Sequence, residues 1–166
     1  MRLVPAWLAS AGWRLGAPLA LGLLLLAAAA TWLLRDRPAA LLQPDDPAVL
    51  ALGERIYGAH CAACHGARLE GQPAWRERDA QGLLPAPPHD ESGHTWHHPD
   101  AQLFAIVKLG LPEVIGQPDY RTTMPAYAGV LSDAEIIAVL SWIKSRWPAG
   151  IRARHDTVND QARAAR

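Results

Sequence analysis

Cysteine is nearly absent from this chain: there are two, Cys61 and Cys64. A four-cysteine zinc site is therefore impossible. Methionine is equally scarce, and since one of the two is the initiator, Met124 stands alone. An excess of charge is missing as well. The whole chain is formally neutral, and from Pro38 onward 12 Lys/Arg face 15 Asp/Glu, near −3. That balance speaks against nucleic acid as a partner. No internal repeat is visible, and no segment shows a clear strand pattern beside the two cysteines. A thioredoxin-like redox pair, which needs a strand–helix context, is thereby disfavoured.

The two cysteines lie in Cys61-Ala62-Ala63-Cys64-His65. This is C-x-x-C-H, the attachment sequence of a c-type haem. Two thiols at that spacing can add across the vinyl groups of one haem edge. The adjacent histidine is then carried under the ring, where an imidazole nitrogen can ligate iron. A disulfide or redox pair would give His65 no special purpose. The expected cofactor is one covalent haem c.

Half the residues are hydrophobic, a figure inflated by the first 37. Leu15 to Leu34 runs uncharged for 20 residues, closed by Arg14 on one side and Arg35 and Arg37 on the other. As a helix it would rise roughly 30 Å, enough to cross a bilayer. Trp13 and Trp32 lie near its ends, where amphipathic rings favour the interface. The rival is a cleaved signal peptide, because Ala28-Ala29-Ala30 resembles an A-x-A site. Trp32-Leu33-Leu34 continues the apolar run beyond it, which favours an uncleaved anchor. Haem attachment on the outer face of a bacterial inner membrane would place 1–14 in the cytoplasm and the rest in the periplasm. The expected division is then a cytoplasmic N-terminus (1–14), an anchor (15–34), a linker (35–46), a haem domain (47–147) and a disordered tail (148–166).

Within the haem domain the first helix is expected from Pro47 to about Cys61, capped by Asp46 with proline at its first position. Gly53, Tyr57 and Cys61 are four apart and stack on one side. Glycine inside a helix costs about 1 kcal/mol relative to alanine, and close approach of another helix is one reason to keep it. The segment 66–88, rich in Gly, Pro and charge, reads as loop, with Trp75 covering the haem or core. Asp100 to Leu109 is a helix stopped by Gly110. Another loop follows, to Gly129. Ser132-Asp133-Ala134-Glu135 is a capping box that opens the last helix, which ends near Trp147-Pro148. His60 and His155 read as solvated.

Met124 sits in Thr122-Thr123-Met124-Pro125-Ala126-Tyr127, a polar loop ahead of that helix. A methionine there is hard to explain as packing and suits a sixth iron ligand. With Gly53-x-x-x-Tyr57-x-x-x-Cys61-Ala-Ala-Cys64-His65, then Met124-Pro125, then Val139-x-x-Trp142, the chain resembles the class I c-type cytochromes in a membrane-anchored monohaem form. The resemblance covers about residues 47–147. It implies an all-α fold whose first and last helices cross near Gly53 and Tyr57 against Val139 and Trp142. It implies axial ligation by His65 and Met124. Tyr127, three residues after Met124, is expected in the haem surroundings. The resemblance also implies that a loop proline carbonyl, Pro85 or Pro87, accepts from the proximal imidazole.

His89 to His98 departs from that pattern, with four histidines and two acids in ten residues. Its readings are a haem-edge loop whose Trp96 and histidines donate to the propionates, a copper or zinc site at His89, His94, His97 and His98, a docking surface, or a His replacing Met124. The expected function is single-electron transfer between respiratory partners by a tethered cytochrome, not catalysis on a substrate. The alternative is a metal-handling or sensor protein built on the His-rich loop.

Overall fold

The structure, a computed structural model, describes residues 20–27 and 40–165. Residues 20–27 are helical with Leu21 and Leu23 to Leu26 exposed. The rest of the expected anchor, 15–34, and the N-terminus, 1–14, lie outside the described residues. Among the described residues no helix is long and apolar enough to cross a membrane.

Residues 40–165 form an all-helical body, and among the described residues no strand forms beyond a single bridge between Ala128 and Leu131. Helix α1 spans Pro47–His60 and α2 spans Ala62–His65. Helix α3 is Asp100–Leu109, α4 is Leu111–Val114, α5 is Asp133–Ser145 and α6 is Ala149–Ala164. The caps are those expected. Asp46 accepts from the N–H groups of Ala48 and Val49 at 2.9 and 3.2 Å. Both halves of the Ser132–Glu135 box are formed. Gly110 takes a positive φ of 86° and ends α3. The short α4 falls where only loop was expected.

Helices α1 and α5 cross at Gly53. A Cβ there would collide with the Ala138 carbonyl and lie 2.7 Å from Trp142 Cβ. One turn on, the Tyr57 and Trp142 rings meet at 4.7 Å between centroids. Ile136, Val139, Leu140 and Ile143 of α5 complete the core with Ile56, Leu69, Leu103 and Leu131.

Two boundaries differ from the sequence-based division. The linker expected at 35–46 is, from residue 40, part of the body. Leu42 is buried in the core, its N–H donating to Asp100 Oδ2 at 3.3 Å. The Gln43 N–H donates to Ser141 Oγ at 2.9 Å, on the face of α5. One buried leucine and two directed hydrogen bonds outweigh a linker-like composition. Within the tail expected to be disordered, 148–166, Ala149–Ala164 form helix α6. Its buried side is made of Ile151, His155, Val158, Asn159 and Ala162, a helical spacing whose most buried members are polar. His155, expected to be solvated, is fully buried.

Those polar members converge on Asp100. Asn159 Nδ2 donates to Asp100 Oδ1 at 2.9 Å, and the Asp100 N–H donates back to Asn159 Oδ1 at 2.8 Å. His155 Nε2 donates to the His98 carbonyl at 3.0 Å and stands 3.4 Å from Asp100 Oδ1. Its Nδ1 faces Asn159 Nδ2 at 3.4 Å. A carbonyl only accepts and an amide NH2 only donates, so this set suits the neutral Nε2–H imidazole. Nearby, Lys144 Nζ donates to Asp156 Oδ1 at 2.6 Å. Burial, followed by the Lys144 charge, holds His155 below its ordinary pKa, against the opposite pull of Asp100 and Asp156.

Two outcomes follow. Gly53→Ala, a change worth up to about 1 kcal/mol of gain in an open helix, is expected to cost about 1–3 kcal/mol here through overpacking. A thermal or denaturant midpoint at or above wild type would contradict the close crossing. Second, unfolding lets His155 take a proton near pH 6.5 that the folded state refuses. Stability present above that pH should therefore fall as pH drops through it, by at most roughly 1.4 kcal/mol per pH unit for one group. His155→Gln should remove part of the slope between pH 7.5 and 5.5, and an unchanged slope would sink this account.

Candidate functional site

The site starts where α1 ends. Cys61 closes α1, its N–H donating to the Tyr57 carbonyl at 2.9 Å, and opens the single turn of α2. That turn holds Cys61, half-buried, and Cys64, exposed, as free thiols three residues apart. Burial, and then the neighbouring Cys64 charge, pushes the Cys61 thiol up to about 11. Gly66, at a φ of 81°, ends the turn, and its carbonyl accepts from Tyr57 Oη at 2.7 Å. Tyr57 thus braces both the helix crossing and the exit from the motif.

His65 is buried, and its Nδ1 lies 2.8 Å from the Pro87 carbonyl. Since a carbonyl only accepts, Nδ1 carries the proton and Nε2 keeps its lone pair. No hydrogen bond reaches Nε2 among the described residues. Burial holds the ring below its ordinary pKa, with the Pro87 bond pulling the other way. Of the two prolines left open, the acceptor is Pro87 and not Pro85. The reason is backbone placement. Gly71, at a φ of 67°, lies so close to the Pro87–Pro88 link that a Cβ would come within 2.7 Å of Pro87 C. Gly93 presses on Pro88 from elsewhere, where a Cβ would meet the Pro88 carbonyl carbon at 2.7 Å. Neither glycine was singled out from the sequence, and nothing in a loop rich in glycine and proline distinguishes them.

Met124 is half-buried, with its N–H on Thr122 Oγ1 at 3.1 Å. Its loop is pinned by Tyr127. The Tyr127 N–H donates to the Val107 carbonyl at 3.0 Å, and its hydroxyl donates to the His60 carbonyl at 2.8 Å. The methionine loop is therefore tied to the residue that precedes Cys61. Burial, followed by the two cysteine charges, raises the Tyr127 hydroxyl pKa. His60 itself is exposed, as expected, and its ring meets Tyr127 edge-on at 6.1 Å.

The four histidines of 89–98 do not converge. His89 stacks on His65, and His97 stacks on Trp96 at 3.7 Å. His94 stacks on Trp75 at 5.2 Å and meets His98 edge-on at 5.4 Å. Among the described residues no group of three or more His, Cys, Asp or Glu is placed to hold a metal ion. The second metal site expected at His89, His94, His97 and His98 is thus corrected: side chains in a loop wound through a 3-10 turn, Thr95–His97, point in different directions. Trp96, expected to donate to a propionate, directs its indole N–H at the Glu91 carbonyl of its own loop, 3.4 Å away. Trp75 lies outside the core, stacked on His94 and with the Arg76 guanidinium 3.9 Å from its ring centroid.

The residues fit a haem. Two free thiols stand at the attachment spacing beside one imidazole whose Nε2 lone pair is unused. Trp96, Phe104, Val107 and Tyr127 add half-buried apolar surface against the core.

The comparisons agree with that chemistry. A family model described as "Cytochrome C oxidase, cbb3-type, subunit III" matches residues 48–143. The gluconate 2-dehydrogenase cytochrome c subunit of Pantoea cypripedii is 30% identical over 105 residues, 61% of this chain and 21% of that protein. The chain thus spans about a fifth of that relative. Cytochrome c-555 of Prosthecochloris aestuarii is 31% identical over 71 residues, 39% of this chain and 72% of that protein. No solved structure matches. Helix α6 and residues 40–46 fall outside the range matched by the family model.

Proposed function

Because the chain belongs to the family described as cytochrome c oxidase, cbb3-type, subunit III, and is a class I c-type cytochrome, we propose that it is a tethered monohaem carrier of single electrons. Its cofactor is covalent haem c, and Cys61 and Cys64 fit the attachment motif. Haem c supplies a one-electron ferric/ferrous couple. The residues do the rest. Cys61 and Cys64 would anchor the group, and His65 Nε2 would ligate its iron. The Pro87 carbonyl orients that imidazole and makes it a stronger donor. Met124 would supply the second iron ligand, and a His65/Met124 pair would favour a high reduction potential. Two protein ligands would leave no iron position for a substrate, so the chain would work as an electron carrier rather than a catalyst.

The observation that carries this reading is the bond from Tyr127 Oη to the His60 carbonyl. It holds the methionine loop at the end of the helix that delivers the C-x-x-C-H turn. A flexible loop would leave the sixth position labile and open to ligands.

The uncharged run 15–34 supports a membrane anchor, with the haem domain in the periplasm of a bacterial inner membrane. Tethering would raise the local concentration at membrane partners. The partners are a redox donor and a redox acceptor there. The relative named as a dehydrogenase cytochrome subunit supports a place in such an oxidoreductase complex.

Met124→Ala is expected to abolish the weak far-red ferric methionine band, admit carbon monoxide to ferrous haem and lower the midpoint potential. An unchanged absorption spectrum would rule Met124 out. For the anchor, the full chain should remain with membranes after a high-salt wash and leave only with detergent. Release by salt alone, with a mature N-terminus near Thr31, would overturn it.

A further inference from the structure

The His65 imidazole is held on two sides by one tripeptide, Pro87-Pro88-His89. The Pro87 carbonyl accepts a hydrogen bond from its Nδ1 at 2.8 Å. The His89 ring lies on its face, centroids 4.0 Å apart and planes inclined 22°. A single in-plane hydrogen bond sets the tautomer but lets a ring turn about the bond axis. A flat group against the face removes that freedom.

His89 is itself anchored more firmly than packing alone requires. Its N–H donates to the Leu69 carbonyl at 2.8 Å. Its carbonyl accepts from Trp147 Nε1 at 2.7 Å. Its ring Nδ1 pairs with the hydroxyl of buried Thr95 at 2.8 Å. Tyr57 meets the same ring edge-on at 6.4 Å. Two prolines stiffen the main chain just ahead of it, and Gly71 and Gly93 leave Pro88 no room to shift. Trp147 rests in turn on buried His155, 5.0 Å between rings. The C-terminal helix thereby braces the carbonyl of His89 from behind.

We propose that His89 is a positioning residue for the proximal ligand, fixing the rotation of the His65 ring through face contact. This rests on His65 ligating the haem iron. The direction of a ligand's imidazole plane selects which iron d orbital its π system meets, so that rotation governs the ferric electronic structure and the potential. Thr95 belongs to the same device, because it holds the His89 ring in place. The one histidine of the segment that serves the haem does so as a flat neighbour of the ligand.

The test uses the full chain with haem attached. A low-spin ferric electron paramagnetic resonance signal from the wild type, with a c-type pyridine haemochrome, reads the ligation itself. The variants read the contact. His89→Ala should move the largest g-value beyond its linewidth and shift the midpoint potential. His89→Phe keeps a flat face without a nitrogen and should keep the wild-type g-values. Thr95→Val should broaden the ferric signal, and it serves as the test if His89→Ala yields no haem protein. Wild-type g-values and potential in His89→Ala would overturn the proposal. So would His89→Phe shifting as far as His89→Ala, or an unbroadened signal from Thr95→Val.

Discussion

The close crossing of α1 and α5 at Gly53 is the constraint on which the rest depends. Two backbones meet where any Cβ would strike the Ala138 carbonyl. That distance brings the Tyr57 ring onto Trp142 one turn later. Tyr57 then reaches Gly66 with its hydroxyl, so the turn between Cys61 and His65 leaves α1 in a defined direction. A larger residue at the crossing would move the cysteines and the histidine together, because all of them hang from the end of one helix.

Around that crossing the chain uses two kinds of fastening. Apolar burial holds α1, α3 and α5 together without regard to direction. Directional bonds are kept for segments that have little apolar surface. Asp100 gathers residues 40–46, α3 and α6 through the Leu42 N–H, its own N–H and Asn159. Each group is buried, so each hydrogen bond matters more than its net worth of about 1 kcal/mol suggests, since a lost partner leaves a desolvated group behind. By contrast the Arg152–Asp45 pair at 2.7 Å, with Asp45 largely exposed, adds little. Helix α6 is therefore a specific attachment, built on polar contacts outside the range shared with the family.

The histidines show how little residue type alone determines role. His65 offers a lone pair, His89 a flat face and His155 a pair of hydrogen bonds. His94 and His97 stack on tryptophans. Burial lowers the pKa of His89 strongly and those of His94 and His98 as well, which disfavours a positive charge on those three rings. Four imidazoles in ten residues suggested a metal site because composition carries no directions. A coordination site needs several lone pairs aimed at one point, and the rings of this loop diverge.

The sequence by itself determined what depends on local order. The attachment turn, the Asp46 and Ser132 caps, the glycine stop at Gly110, the three helices of the haem domain and the pairing of Gly53 and Tyr57 with the last helix all follow from spacings within a few residues or from one family pattern. Only the tertiary structure decided what depends on partners far apart in the chain. It chose Pro87 over Pro85, since the choice rests on where Gly71 and Gly93 leave room. It buried Leu42 and turned the expected tail into α6, because the buried side of that helix is written in His155 and Asn159, and a polar residue shows its preference for the interior only once Asp100 and the His98 carbonyl stand opposite. It also laid His89 on His65, a contact between neighbours in sequence whose geometry is set by Leu69, Thr95 and Trp147. Local periodicity can name a helix, but the position of a side chain in space is a property of everything that packs against it.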